Sequence, residues 1–349
     1  MGRMRYIGSK ARLVGQILDS IGEPILSGCL VDICSGTGII SREAANRGWR
    51  VQANDYLVSS STLTFAQLAS QEDAPFIHFG GYEMAISALN CTPPFDGFVF
   101  REYSPSGQSK DGHNRKYFTT ENAARIDGIR QEIRRLHETK SISDSENQLL
   151  IADLIEAANR VANIAGTYGC FLREFSPAAV RQLALRPRNL RSSGAPFSVS
   201  CLDAFQIQAK PDDIVYLDPP YTKRQYAAYY HLLETISAGD APVVSGVTGL
   251  RPWQSKSSPF CFRRKALSSV VNLCRTVGAK TIFISYSSEG HIDLPSLEAE
   301  LSKTGTTSTL SLGGIGRYRP NTKARAINSV TEYLVRYQHG SSPSKKVSK

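Results

Sequence analysis

Short apolar runs alternate with helical periodicity in the first part of the chain. Residues 30–34 read as a buried strand, residues 51–55 as a second strand that ends in an acid, and residues 39–47 between them as a helix. A turn with two glycines, residues 35–38, separates the first run from that helix. The order strand, glycine turn, helix, strand predicts the opening of a doubly wound, Rossmann-like α/β sheet.

More strand-like runs follow in the second half of the chain. They lie at 198–202, 214–218, 281–286 and 332–337. Their length and apolar content are typical of buried strands. We expect them to complete the same sheet.

The middle of the chain interrupts this pattern with helical, basic sequence. Ser143 and Glu146 form a capping-box pair before a predicted helix over 144–165, whereas the polar stretch 97–118 predicts a loop. The chain is therefore expected to divide into the first half of a sheet domain (1–79), an inserted, mainly helical region (80–191), the second half of the sheet domain (192–338) and a disordered basic tail (339–349).

Composition and charge narrow the function classes. The 349 residues include 41 Lys and Arg against 31 Asp and Glu, a net charge of +10, which favours a polyanionic partner such as nucleic acid. No apolar run suggests a membrane span or a signal peptide. Seven cysteines without regular spacing suit a reducing cytoplasm, and the absence of a Cys-x-x-Cys pair predicts no structural metal.

The glycine turn predicts a binding pocket for an adenosine-containing cofactor. Gly36 and Gly38 let the main chain approach a ligand, and Asp55, seventeen positions beyond Gly38, can hold both ribose hydroxyls. NAD is one candidate, but Ser41 stands where its fingerprint needs a third small Gly or Ala. Asp32, just ahead of the turn, repels a diphosphate and suits an ammonium group, which favours S-adenosylmethionine.

The tetrapeptide Asp218-Pro219-Pro220-Tyr221 follows the apolar run 214–217 and indicates a chemistry. An aromatic amino nitrogen is a poor nucleophile, because its lone pair is delocalised into the ring. The Asp218 carboxylate and the Pro219 carbonyl can accept its two N–H bonds, while Tyr221 can stack on the base. This pattern predicts methyl transfer to an exocyclic nitrogen, governed by positioning and electrostatics.

Cations and a further aromatic residue follow this tetrapeptide. Lys223, Arg224 and Tyr226 are suited to contact backbone phosphates or unstacked bases. A cytosine C5 methyltransferase would need a cysteine nucleophile, usually after proline, and the chain contains no Pro-Cys dipeptide.

These motifs resemble those of the DNA adenine-N6 methyltransferases of bacterial and phage restriction-modification systems. The similarity is carried by residues 6–10, the glycine motif 31–38, the middle segments 115–118, 122–123 and 163–169, the tetrapeptide at 218–221 and the segments 224–226, 230–235, 285–290 and 331–335. The order of the motifs is that of the subgroup in which the glycine motif comes first and the target-recognition domain lies between it and Asp-Pro-Pro-Tyr.

The resemblance implies specific site residues. The implied cofactor pocket contains Tyr6, Lys10, Asp32, Gly36, Gly38, Asp55, Asp203, Phe205 and Asp218, with Asp203 accepting from the adenine amine of S-adenosylmethionine. Lys10, near the start of the first helix, can reach the cofactor's carboxylate. Cys34, Thr222 and Tyr229 depart from the family's usual residues, but none of them removes a catalytic group.

Recognition of the DNA sequence is expected from the cations of region 80–191, which would be the inserted target-recognition domain. Candidates in that region are its cations, among them Arg115 and Lys116, and the loop 245–265 offers Arg251 as a further candidate. Other candidate cations of the region are Arg101, Arg134, Arg135, Arg173, Arg181, Arg186, Arg188 and Arg191. Trp253 in that loop is expected to pack on the core rather than to enter the duplex.

The sequence therefore predicts an S-adenosylmethionine-dependent, site-specific adenine-N6 methyltransferase of double-stranded DNA that flips its target base. It would act in the cytoplasm as a monomer, without metal or membrane, with a cognate restriction endonuclease acting separately. Two alternatives stay open: an amino methyltransferase for cytosine N4, an RNA base or a protein glutamine, and a DNA-binding protein with an inactive catalytic fold.

Overall fold

A mixed sheet forms the centre of the protein. Within the residues that the computed structural model describes, 4–191, 195–315 and 330–340, the sheet has seven strands. These are β1 (Leu30–Asp32), β2 (Val51–Asn54), β3 (Phe197–Ser200), β4 (Ile214–Leu217), β5 (Thr281–Ser287), β6 (Gly305–Ile315) and β7 (Val330–His339). Their order is β3-β2-β1-β4-β5-β7-β6, with β1 to β5 parallel and β7 antiparallel to both neighbours. The predicted α/β sheet is confirmed.

Helices cover this sheet on both faces. They are α1 (Val14–Ile21), α2 (Ile39–Asn46), α3 (Val58–Leu68), α4 (Tyr82–Asn90), α5 (Phe98–Tyr103), α6 (Thr120–Glu138), α7 (Asp144–Val161), α8 (Tyr226–Tyr229), α9 (His231–Ala238), α10 (Arg263–Thr276) and α11 (Leu294–Ser302). Successive side chains of β4 point to opposite faces of the sheet and pack in two different buried clusters. Val215 and Leu217 pack with α10 and α11, whereas Tyr216 packs with α1 and α2. Such two-sided burial explains why the central strands are almost continuously apolar.

The helical middle region shares its core with the sheet domain. Apolar residues of α6 and α7 belong to the same buried cluster as Leu63 of α3 and Leu232 of α9. Ser143 and Glu146 form the predicted capping box at the start of α7. The helical layer is therefore continuous with α3 and α9 of the sheet domain, and the boundaries at 79 and 191 stay predictions.

Some elements differ from the sequence prediction. Helix α5 lies inside the predicted loop 97–118, and α7 ends at Val161, before the predicted residue 165. Strand β6 has no counterpart in the prediction, because its Thr- and Ser-rich residues are mostly exposed and give no apolar pattern. His339 ends β7, while residues 341–349 of the predicted tail lie outside the described residues.

In the part of the chain that the structure describes, no helix combines the length and the apolar character that crossing a membrane requires. Those same residues contain no group of three or more His, Cys, Asp or Glu placed to hold a metal ion.

Candidate active site

A deep cleft opens at the carboxyl ends of β1, β2 and β4. Asp32 ends β1, while Asp55 and Asp218 follow β2 and β4. Asp32 is in register with Ala53 and Tyr216 of the neighbouring strands, so Asp55 and Asp218 lie two positions further along at the same edge. Here the strand order reverses, which is where open α/β sheets bind ligands. The cleft holds about 1070 Å³ of space including its open mouth, and all three acids line it.

The glycine turn after β1 has room for main chain only. Gly36 and Gly38 have φ of +56° and +75°, in the left-handed region. A Cβ on Gly38 would lie 2.8 Å from Thr64 Cα, and one on Gly36 would lie 3.3 Å from the Tyr6 ring. The Gly36 N–H donates to Asp55 Oδ2 at 2.8 Å. Both glycines are therefore required by geometry, and the turn presents its main chain to the cleft.

Asp32 offers an unsatisfied acceptor at the floor of the cleft. Its side chain is 1% exposed, and Oδ2 accepts from Ser41 Oγ at 2.6 Å. Oδ1 has no hydrogen-bond partner among the described residues. Burial, with smaller contributions from Asp218 and Asp55, raises the pKa of Asp32 to about 7. A buried carboxylate with a free oxygen fits the ammonium group of an amino-acid moiety.

Asp55 is oriented by main-chain donors. Its carboxylate accepts from the N–H groups of Gly36 and Leu57, at 2.8 and 3.0 Å. Burial raises the pKa of Asp55 to about 6. The remaining lone pairs of the carboxylate can accept from vicinal hydroxyls, as predicted for a ribose.

Asp203 lies in the lining of the cleft as predicted, but Phe205 does not, and Phe260 lies there instead. Asp203 lines the cleft and accepts from the Phe205 N–H at 3.0 Å. Phe205 packs on Phe260, with ring centroids 5.6 Å apart, and Phe260 is the residue that lines the cleft. Phe260 was not predicted from the sequence, because a phenylalanine in the loop 245–265 gives no periodic pattern by itself and reaches the cleft only through the fold.

Lys10 lies beside Asp218 in the cleft. Its Nζ is 2.8 Å from Asp218 Oδ1 and 3.6 Å from Glu332 Oε2, and the side chain is 4% exposed. Burial favours a lower pKa for Lys10, but the negative charges of Asp218 and Glu332 outweigh it and raise the pKa. The amine predicted to reach the cofactor's carboxylate is thus paired with the predicted catalytic acid.

Glu332 is a site residue that sequence reasoning missed. It lies on β7 and is 5% exposed, and its Oε1 accepts from the Tyr221 hydroxyl at 3.3 Å. Burial raises the pKa of Glu332. The one available signal was an acid inside the final strand-like run.

Tyr6, Tyr226 and Tyr230 hold residues 6–10 against the cleft. Tyr6 stacks on Tyr230, with centroids 4.4 Å apart and planes at 13°, and lies 5.7 Å from Tyr226. The Ile7 N–H donates to the Tyr230 hydroxyl at 2.6 Å, and the Tyr226 hydroxyl donates to the Ile7 carbonyl at 3.2 Å. Tyr226, predicted to contact DNA, is therefore a wall of the cleft in this structure.

Gln225 connects the segment after the predicted catalytic tetrapeptide to the loop that contains Ser258. Its Nε2 donates to the Ser258 carbonyl at 3.1 Å, and its Oε1 accepts from the Ser258 N–H at 2.8 Å. Ser258, Pro259 and Phe260 all line the cleft. The buried amide of Gln225 thus sets the position of that wall.

The residues predicted to bind DNA fall into two classes. Lys223 and Arg224 are exposed, directly after the tetrapeptide, as a DNA contact requires. Arg115 is fully buried: it donates to Glu102 and Asp111 and to the carbonyls of Gly246 and Val247. This placement disagrees with a DNA contact, because every one of these bonds would have to break first.

Lys116 and Arg251 are also engaged within the protein. The Lys116 amine donates to the Arg173 carbonyl at 3.1 Å. Arg251 pairs with Asp240 at 2.7 Å and donates to Thr235 Oγ1 at 3.1 Å. Both side chains are half-buried, so they do not offer the free cations that the sequence suggested.

Other arginines of the helical region bind main-chain carbonyls at helix ends. Arg130 and Arg134 donate to carbonyls at the end of α9, and Arg191 donates to the Ala45 carbonyl of α2. Helix ends leave unpaired carbonyls that carry partial negative charge. Much of the positive charge of this region therefore stabilises the fold.

Comparison with known proteins identifies the family. The model of the D12 class N6 adenine-specific DNA methyltransferases matches residues 6–292. The chain belongs to this family. Membership confirms the resemblance predicted from the motifs, with DNA as the substrate class of the family and S-adenosylmethionine as its methyl donor.

Several type II methyltransferases are similar over most of the chain. The type II methyltransferase M.FokI of Planomicrobium okeanokoites is 34% identical over 88% of this chain, which spans 48% of M.FokI. M.NlaIII of Neisseria lactamica is 32% identical, with 82% of this chain and 84% of the relative covered. M.CviAII of Paramecium bursaria Chlorella virus 1 is 31% identical, with 96% and 98% covered. The chain thus spans about half of M.FokI but nearly all of M.CviAII.

Proposed function

We propose that this protein is a site-specific methyltransferase that transfers a methyl group from S-adenosylmethionine to the N6 amino group of adenine in double-stranded DNA. One observation carries the proposal. Asp218-Pro219-Pro220-Tyr221 opens into the same cleft as the glycine turn and the unsatisfied carboxylate of Asp32. A methyl donor and an amino group can therefore be bound in one cavity.

The residues of the cleft fit S-adenosylmethionine by their chemistry. Asp32 would hold its ammonium group, Asp55 its ribose hydroxyls and Asp203 its adenine amine. When bound, the cofactor supplies a methyl group on a positively charged sulfur.

Asp218 and Pro219 would hold the amino group of the target base. Within the described residues, the Pro219 carbonyl has no hydrogen-bond partner, so it is available to accept one N–H. Asp218 can accept the other, and the proline ring fixes the direction of the carbonyl. Accepting both hydrogens draws the nitrogen towards tetrahedral geometry and makes its lone pair available. The contribution of the protein is orientation and electrostatic complementarity.

A stacked base cannot enter this cleft, so the target adenine must be flipped out of the duplex. The exposed Lys223 and Arg224 beside the tetrapeptide would contact the phosphates next to the flipped base. We further propose that the protein acts as a monomer in the cytoplasm, where the DNA lies, and that a separate restriction endonuclease shares its recognition site. The type II names of the relatives support that last proposal.

Transfer of a labelled methyl group to duplex DNA tests the function. The expected product is N6-methyladenine, identified by mass spectrometry of the digested DNA. Asp218→Ala should lower the single-turnover rate by about 100- to 1000-fold, the loss typical of one preorganised electrostatic group. Asp212→Ala, an exposed acid near the start of β4, is the matched control and should keep the wild-type rate.

Three results would contradict the proposal. They are the absence of label in DNA of varied sequence, label on cytosine N4, RNA or a protein glutamine instead, and an Asp218→Ala variant with full turnover. Flipping has its own test. Duplexes with a mismatch opposite the target adenine should bind more tightly, because unpairing then costs less free energy.

A further inference from the structure

Glu332 faces the reacting groups from a strand that carries no other predicted site residue. Its Oε2 is buried, lies 3.6 Å from Lys10 Nζ and has no hydrogen-bond partner among the described residues. Its Oε1 accepts from the Tyr221 hydroxyl at 3.3 Å. One buried carboxylate thus touches both the lysine and the tyrosine that surround Asp218.

Lys10 lies between two carboxylates and is closer to the one that the reaction needs. Its Nζ is 2.8 Å from Asp218 Oδ1, and it lies 5.2 Å from the centre of the Tyr221 ring. An ammonium group on Asp218 occupies lone pairs that the target amino group requires. The lysine therefore competes with substrate unless a second anion draws it away.

We propose that Glu332 is a positioning residue for methyl transfer, which holds Lys10 and Tyr221 so that the carboxylate of Asp218 can turn to the target amino group. The inference rests on the proposed function. Without Glu332, Asp218 is the remaining anion beside Lys10 and the two side chains pair more tightly. With Glu332, Lys10 can move towards the second carboxylate, and the buried ammonium stays paired throughout.

The isosteric variant Glu332→Gln tests this role. We expect its single-turnover rate, with cofactor and DNA saturating, to fall about 10- to 100-fold, as when the reacting geometry shifts by about an ångström. The affinity for S-adenosylmethionine should stay within about twofold, since Glu332 acts through Lys10 and Asp218 on the transfer step. We expect the single-turnover rate to decrease from wild type to Glu332→Asp to Glu332→Gln. Aspartate keeps the negative charge but holds it further from Lys10.

Glu146→Gln is the matched control. Glu146 is 6% exposed, against 5% for Glu332, and its side chain caps α7. The Glu146→Gln variant should have a lower thermal unfolding midpoint but an unchanged single-turnover rate. A rate loss in this variant too would indicate a general effect of removing a buried carboxylate.

A double-mutant cycle separates positioning from a structural role. In a Lys10→Met background, adding Glu332→Gln should change the rate by less than about twofold, because the group through which Glu332 acts is gone. A full additional loss in that background would overturn the proposal, and so would a wild-type rate for Glu332→Gln or a Glu332→Asp slower than Glu332→Gln. If Glu332→Gln does not fold, Glu332→Asp is placed in the same cycle.

A readout independent of methylation distinguishes this inference from the proposed function. The side-chain NMR signal of Lys10, assigned by its loss in Lys10→Met, should shift in Glu332→Gln without DNA or cofactor. An unmoved signal in a chain that methylates DNA would overturn only the role of Glu332. A wild-type chain that does not methylate DNA would overturn both, whatever the signal does.

Discussion

Replacing Arg115 with methionine distinguishes a structural arginine from a DNA-binding one. The side chain is fully buried, and its guanidinium is 3.0 Å from a Glu102 oxygen that is itself almost completely buried. It also donates to the Gly246 carbonyl at 2.9 Å and to the Val247 carbonyl at 3.3 Å. Methionine keeps much of the apolar stem, so the effect reports the lost charge and hydrogen bonds.

The magnitude follows from the burial of the two partners. Removing one member of a buried ion pair typically costs about 3–5 kcal/mol, because the other charge is left uncompensated. Asp111 is partly exposed and adds at most about 1 kcal/mol. We therefore expect Arg115→Met to lower the free energy of unfolding by about 3–5 kcal/mol, with Glu102→Gln in the same chain restoring part of it.

Urea unfolding followed by circular dichroism measures this loss. Arg101→Met is the control: Arg101 is exposed and precedes Glu102 on α5, so its replacement should change stability by less than about 0.5 kcal/mol. If Arg115 contacted DNA instead, Arg115→Met would leave the stability unchanged. The slope of log affinity for DNA against log salt would then decrease by about one, as for the loss of one phosphate contact. That outcome would refute the structural role.

Three further predictions follow from the cleft and its rim. Gly38→Ala should weaken the affinity for S-adenosylmethionine measured by calorimetry. Gly38 has a φ of +75°, and the Cβ of an alanine there would lie 2.8 Å from Thr64 Cα. An unchanged affinity would contradict this geometric argument. The affinity for S-adenosylmethionine should fall as the pH decreases through about 7, because the raised pKa of Asp32 brings protonation of the carboxylate that is proposed to receive the ammonium group. Asp32→Asn should bind the cofactor weakly and with a flatter pH profile. A wild-type pH dependence in that variant would exclude this role of Asp32. Replacing Lys223 and Arg224 together by alanine should reduce the slope of log affinity against log salt by about two and leave cofactor affinity unchanged; an unaltered slope would place DNA elsewhere.

The sequence predicted the elements that depend on local patterning. Continuous apolar runs identified the central strands, and the pair Ser143 and Glu146 identified the start of α7, because both signals lie within a few neighbouring residues. Strand β6 was not predicted, because it is largely exposed to solvent and its sequence contains no apolar run. The edge acids of the cleft were also predictable, since parallel strands present their carboxyl ends at one edge of the sheet.

The partners of the basic residues were not predictable in this way. In the sequence, Arg115 and Arg224 are equivalent: each is next to a lysine and lies two positions before a tyrosine. In the structure, one is enclosed by carbonyls 131 and 132 positions away, and the other is exposed. Lys10 and Glu332 likewise meet from opposite ends of the chain. No local pattern encodes such long-range pairs.

The sequence by itself determined the α/β sheet, the glycine turn, the acids of the cleft and the tetrapeptide at 218–221, because each depends on short-range spacing and intrinsic residue chemistry. Only the tertiary structure decided which cations face solvent, that Lys10 bridges Asp218 and Glu332, and that Phe260 lines the cleft. Those features arise when distant segments pack together, and burial then decides which charge finds a partner inside the protein.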